Sequence, residues 1–466
     1  MAAQRGAPAA TPNKLLAGLL DQLGWRPETL ARRVNAALSR SGSTRKIHDK
    51  TPYRWLRSGE LPHGAVPDLV VQVIAGALGT ELDFAQVWQA ERRRQPPLRA
   101  DQHNDLPWDD NGLISLLGEP VPTRRTVIAV TGAALTQPVW HALDKATTLL
   151  RSAADEAGTV TPPLLAMIDS IVAAAQQLDE QQGAAARDYV ADQFTAVGRL
   201  LRRASYDAQA GRRLAGALAQ LAQTSGFMAF DSADDGRAQW WYLSGLRAAH
   251  LSEPALTASI LALLSNQAAD RGYPLDALQL ASAAQQAAND TPAAVKSLVA
   301  ARSSLAYAAA GDLSGFSRLR EQTLALLDTR DDRPLPSWAG YIDRVELDAI
   351  TGRGLVVLAS HLPLQRGRLL RQAEDLLHAR AHTAPSATPQ RSALRHGAWL
   401  SLAYLAEDDL DRADTAARLA MSRLPTVNSQ RSIDLLHRVE QQLAPMAHRS
   451  RKANVLVRDI HRTLHP

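Results

Sequence analysis

Small residues recur at fixed offsets through the later part of the chain, and this recurrence restricts the fold more than any other feature. Ala238, Ala277, Ala373 and Ala413 each open an amphipathic segment, and Phe316 fills the same place once. Seven residues further on stand Gly245, Ala284, Arg380, Ala420 and Thr323. That interval is close to two helical turns, so each pair of markers shares one face, where small side chains let a neighbouring helix approach. Gly272, Gly311 and Asp408 supply turn residues a few positions earlier. The pattern predicts antiparallel helix pairs stacked in tandem, an α-solenoid over residues 161–466. Marker spacings of 39, 39, 57 and 40 residues mean that one unit carries an insertion. The basic segment from His448, with Arg449, Arg451, Lys452, Arg458 and Arg462, is expected to cap the stack.

Composition points the same way. Of 466 residues, 83 are alanine and only 5% are aromatic, and alanine loses no side-chain entropy in a helix. Zero cysteines exclude disulfides, thiolate metal sites and a cysteine nucleophile. No apolar run approaches the roughly 20 residues of a membrane span, and the opening MAAQRGAPAATPNK lacks a secretory core. A cytoplasmic, nucleoid-associated location with no membrane partner is therefore expected.

Charge divides the chain. Residues 1–100 hold 15 Lys+Arg against 8 Asp+Glu, whereas the remainder holds 37 against 39. A basic module joined to a near-neutral body is the footprint of nucleic-acid binding. Within 13–95 the pattern predicts five short helices, after a disordered stretch at 1–12. Thr11-Pro12 reads as the cap of the first, which carries Leu15, Leu16, Leu19, Leu20 and Leu23 and stops at Gly24. Pro27 opens the second, with Leu30, Ala31, Val34 and Leu38 inward. Thr51-Pro52 reads as the cap of a third that stops at Gly59; a fourth carries Val70, Val73 and Ile74, and a fifth follows Asp83. From 96 to 160 repeated prolines predict a partly ordered linker.

The third helix, Thr51-Pro52-Tyr53-Arg54-Trp55-Leu56-Arg57-Ser58, reads as the recognition helix of a helix-turn-helix. Trp55 and Leu56 anchor it in a core with Leu30, Val34 and Val73. Lys50, Thr51, Tyr53, Arg54 and Arg57 then face outward as candidate contacts to double-stranded DNA, with Arg45 and Lys46 of the preceding turn on phosphate. Arg92-Arg93-Arg94 is a weaker phosphate candidate. The run Tyr53-Arg-Trp-Leu-Arg-Ser-Gly-Glu-Leu-Pro62 resembles the YRWLRG-x-x-P segment of lambda-repressor-like domains in actinobacterial regulators. Residues 226–249, with Gly226-Phe-Met-Ala-Phe-Asp231, Ala238-Gln-Trp-Trp-Tyr242 and Gly245, are similar to the first tetratricopeptide unit of those regulators. The resemblance implies an all-α protein, a lambda-repressor-like helix-turn-helix domain followed by a tetratricopeptide-like α-solenoid, acting in transcription linked to development or secondary metabolism. Residues 39–48 lengthen the turn beyond the compact motif, and Pro52 stands where a hydrophobic residue is usual.

In the solenoid, the register set by Gly272, Ala277 and Ala284 turns Leu261, Leu264 and Ala268 toward the partner helix. It leaves Ser259, Ala262, Asn266 and Asp270 on the inner surface, a small polar row suited to a peptide, small-molecule or protein partner. Trp240, Trp241 and Trp399 read as core. Thirteen histidines show no HExxH spacing, and phosphate-loop and dinucleotide glycine motifs are missing. No metal, cofactor or enzymatic activity is expected. The expected function is DNA-binding regulation, with a solenoid that senses a ligand or builds a homodimer. The alternative is a protein-interaction scaffold whose helix-turn-helix unit contacts protein.

Overall fold

The computed structural model describes residues 12–40, 46–60, 62, 66–80, 82, 84–88, 98–122, 127–144 and 158–465. The chain separates into two compact units, 1–96 and 97–466. It is almost entirely α-helical; a pair of two-residue parallel strands departs from the all-α expectation.

The first unit contains α1 (Lys14–Gln22), α2 (Pro27–Arg40), α3 (Thr51–Ser58), α4 (Val66–Leu78) and α5 (Phe84–Trp88). Leu16, Leu20, Leu30, Val34, Leu38, Val70 and Ile74 build its core around Trp55 and Trp88, whose rings meet edge to face at 5.6 Å. Asn13 caps α1, not Thr11-Pro12: its Oδ1 accepts from Leu16 N at 3.0 Å. The same buried amide donates to Val87 O at 2.9 Å, and the Asn13 N–H donates to Leu56 O, so one residue ties together α1, α3 and α5. A second asparagine, Asn35, clamps both backbone groups of Ile47 and fixes the entry to α3. Lys50 is the N-cap of α3, which places Thr51 and Pro52 inside the first turn, where a proline's missing N–H costs no hydrogen bond. Gly59, at φ 62°, ends α3 in the left-handed conformation glycine adopts without strain.

The second unit opens with β1 (Leu98–Arg99), α6 (Asp110–Leu116), β2 (Val127–Ile128) and α7 (Ala133–Leu143); β1 and β2 pair in parallel. Next come α8 (Pro162–Gln182) and α9 (Arg187–Arg203). Five hairpins follow among the described residues: α10 (Ala208–Asp231) with α11 (Asp235–His250), α12 (Pro254–Asp270) with α13 (Pro274–Ala287), α14 (Ala293–Ala309) with α15 (Leu313–Leu327), α16 (Arg344–His361) with α17 (Arg366–Ala381), and α18 (Gln390–Ala406) with α19 (Leu410–Met421). The chain ends in α20 (Gln430–Leu443) and α21 (Arg451–Leu464); Ala453, Leu456 and Ile460 of α21 close the core.

Tandem hairpin packing makes this unit an α-solenoid. The marker residues Ala238, Ala277, Phe316, Ala373 and Ala413 are all buried in the second helix of their pairs. Ser265 and Ser401 donate to the carbonyls of Ala277 and Ala413 at 2.8 and 3.0 Å, the same bond twelve residues across in two different hairpins. Gly272, Gly311 and Asp408 all take positive φ at the hairpin turns, and Ala233 does so in the first hairpin. The insertion falls at 328–343, where Trp338 is buried.

Residues 98–122 and 127–144 lie against the first hairpins. Arg247 of α11 donates to the carbonyls of His103, Leu106 and Pro107, with its guanidinium over the Trp108 ring. Gln239 exchanges two hydrogen bonds with the Val130 backbone. The array also bends until its early and late helices meet. Asn428 pairs with the backbone beside Gly183, accepting from Ala184 N and donating to Gln182 O. Arg391 of α18 bonds Asp179 of α8, and Arg395 bonds Asp231 of α10. No helix of the described residues is long and apolar enough to cross a membrane.

Candidate functional site

Two surfaces are candidates. On the first unit, Trp55 is buried and Leu56 half-buried, so Arg54 and Arg57 project into solvent from the opposite side of α3. Lys46 and Lys50 are exposed beside them, while Thr51 and Tyr53 are half-buried. Two of these groups are engaged within the unit: Arg54 forms a bidentate pair with Glu60, and the Tyr53 hydroxyl donates to Glu28 at 2.8 Å. The Glu28 carboxyl is held below its usual range by hydrogen bonds from its own backbone and from Tyr53. Arg57 lies over the Tyr53 ring at 5.8 Å. Arg45 and Arg92-Arg93-Arg94 lie outside the described residues, as do Thr11 and Asp83.

The second candidate lies inside the second unit. The expected row on α12 does line interior space, but as buried residues and not as an open groove. Ser259 is fully buried and accepts from Arg302; Asn266 is 5% exposed and its Oδ1 accepts from Arg353 at 2.5 Å. Asp270, the exposed end of the row, lies 3.6 Å from Arg431. Because the array closes on itself, these residues face α8, α10, α14, α16 and α18 across a cavity of about 860 Å³, its mouth included. Its walls carry Asp179, Glu180, Gln223, Asn266, Arg302, Tyr341, Glu346, Arg353, Arg391, Arg395 and His396. A second opening shares Arg353 and Arg395 and adds Trp399, Arg431 and Arg438. No described residue of 98–144 lines either space.

Charge in the cavity is unevenly matched. Arg391 reaches Asp179 and Glu180, Arg395 reaches Asp231, and Glu346 reaches Arg380. Arg302 and Arg353 have neutral partners: Arg302 donates to Ser259 Oγ at 3.3 Å and Tyr341 Oη at 2.8 Å, and Arg353 to Asn266. Burial pulls the Arg353 guanidinium below its usual range, Asp270 opposes this, and Arg395 and Arg431 add to it. Burial also pushes His396 down to about 3 despite Glu346, so it is neutral near pH 7. Its Nδ1 lies 2.9 Å from Ser392 O.

Sequence reasoning found Asn266 but missed the arginines. One signal was available. Arg353 stands between Gly352 and Gly354 in an otherwise apolar helix. A Cβ on Gly352 would meet Leu377 at 2.8 Å, and one on Gly354 would meet Phe316 at 2.6 Å. Both glycine faces are pressed against neighbouring helices, which leaves the third face, with Arg353, toward the interior.

The family model described as the SP15 N-terminal domain matches residues 16–87, all within the first unit. No curated protein and no solved structure matches the chain.

Proposed function

We propose that the chain is a non-enzymatic interaction protein whose solenoid is the binding module and whose first unit engages a second macromolecule. The observation that carries this is the polar, charge-lined interior of the solenoid. Stacked hairpins present one inner surface to a partner, and here that surface collects arginines, an asparagine and a glutamine from five helices and not a nucleophile–base pair. The equivalent serine bonds at Ser265 and Ser401 support a tetratricopeptide-like reading of the hairpins. The test is affinity capture with the full-length protein, with the captured partner identified and reconstituted from pure components. Charge reversal at Arg438, on the rim of the second opening, should release the partner, whereas Arg57→Ala should not. A reconstituted partner indifferent to every substitution on the solenoid would refute the reading.

A specific observation favours a second reading, in which the partner of the first unit is DNA and the unit is a lambda-repressor-like helix-turn-helix. Arg57, Lys50 and Lys46 project together from α3 and its entry while Trp55 pins the helix from behind. In that reading Arg54 exchanges Glu60 for phosphate or a base edge, and the protein acts as a cytoplasmic transcriptional regulator. Retardation of duplex DNA should then weaken steeply with salt, and Arg57→Ala should cost about 1–3 kcal/mol on a specific site. Salt-independent behaviour leaves the protein-contact reading of this unit.

A further inference from the structure

Most charges in the solenoid interior have partners, and two do not. Among the described residues Arg353, 6% exposed, has one hydrogen-bonded partner, the neutral Asn266. Arg302, half-buried, has two, both hydroxyls. A guanidinium taken out of water is strongly disfavoured unless an opposite charge replaces the lost solvation, and a fold selected only for stability places an apolar side chain there. The surroundings make matters worse. Arg353 is repelled by Arg395 and Arg431, while Asp270 is the carboxylate on the favourable side. The second opening, which ends at Arg353, is lined by four arginines, Arg353, Arg395, Arg431 and Arg438, against Asp270 and Asp434. Arg438 is exposed at its rim, beside half-buried Trp399. Gln223, 8% exposed, contributes to the lining of the first cavity an Oε1 with no hydrogen-bond partner. Buried polar groups are normally paired, so an orphan in a cavity lining marks a place where something else supplies the partner.

We propose that the solenoid interior is a binding site for a small oxyanion-bearing ligand, with its carboxylate or phosphate group held by Arg353 between the two openings. Arg302 and the Gln223 carbonyl then receive the ligand's remaining polar groups. The shared chemistry is an anion with at least two oxygens, which matches the planar fork of a guanidinium. An extended peptide backbone is the poorer fit, because the Asn266 side-chain carbonyl already accepts from Arg353 and the Ser259 hydroxyl already accepts from Arg302. The proposal concerns the second unit alone and does not depend on what α3 contacts.

The full-length protein tests it by thermal unfolding in rising inorganic phosphate and, separately, citrate, each against chloride at matched ionic strength. Wild type should show a saturable rise in melting temperature with one of the two, which distinguishes a phosphate from a carboxylate ligand. Asn266→Asp places a near-isosteric carboxylate against Arg353 and supplies the missing counter-charge internally. This variant should melt no lower than wild type and should bind the anion at least about tenfold more weakly. Arg353→Gln should lose the response as well, and Asn266→Asp decides the matter should Arg353→Gln not fold. No response in wild type beyond that to chloride would overturn the proposal, as would an equal response in Asn266→Asp. Anion binding without capture of any macromolecule would leave this proposal standing and defeat the interaction reading of the solenoid.

Discussion

Replacing Arg391 by methionine probes the closure that creates the interior. Arg391 joins α18 to α8 over 212 residues of sequence: it donates to the Asp179 backbone at 3.0 Å, pairs with the Asp179 carboxylate at 3.0 Å and with Glu180 at 2.5 Å, and lies 4.3 Å from the centre of the Phe227 ring. Both Arg391 and Asp179 are buried. Methionine keeps much of the stem's packing on Phe227 but strands the Asp179 charge in a low-dielectric site. Loss of one partner from a buried pair costs about 3–5 kcal/mol, against about 0–1 kcal/mol for an exposed pair. Urea unfolding of the full chain, followed by helical circular dichroism, measures it. The double variant Arg391→Met, Asp179→Leu removes both charges together and should recover most of the loss, because an apolar pair of similar volume is about as stable. A loss below about 1 kcal/mol in the single variant, or no recovery in the double one, would show that this pair does not hold the two ends of the array together.

Other residues give sharper local tests. Trp55→Ala should cost about 3–5 kcal/mol by opening a cavity beneath α3; calorimetry should show the transition of the first unit lost and that of the solenoid kept. Gly226→Ala would place a methyl 2.5 Å from Tyr242 Cε1, and should lower solenoid stability by about 1–3 kcal/mol in urea. His396 gives a pH test. Its ordinary value is 6.5 and its folded value about 3, so acidification protonates the unfolded chain first and stability falls as pH drops below 6.5. Between pH 7 and pH 5.5 this amounts to about 1 kcal/mol, and His396→Gln should be less sensitive by that amount.

Much of the architecture was legible because it is local. Small residues seven apart, and turn residues that need positive φ, report packing between helices adjacent in sequence. They placed Ala238, Ala277, Ala373 and Ala413 in the right helices and Gly272, Gly311 and Asp408 at the right turns. What failed was long-range or polar. Asp179 with Arg391, and Gly183 with Asn428, meet only because the array closes, and no periodicity in either segment announces its partner. Residues 98–144 looked like a linker because prolines hide their helices and because their anchors, Arg247 and Gln239, sit in a helix whose faces are almost all buried. The inner row was found by register, but closure turned it from an open groove into a lined cavity. In the first unit the cap of α1 was misplaced by two residues, since Thr11-Pro12 satisfies the local rule while Asn13 also satisfies α5.

The central claim is that the solenoid interior binds a small anion, and the bound molecule itself is the most direct observable. Full-length protein purified gently from its own cells can be weighed by native mass spectrometry beside the Asn266→Asp variant. Wild type should carry a discrete, non-covalent added mass that gentle activation removes as an anion, and the variant should not. The bare chain mass in both, or the same added mass in both, would contradict it.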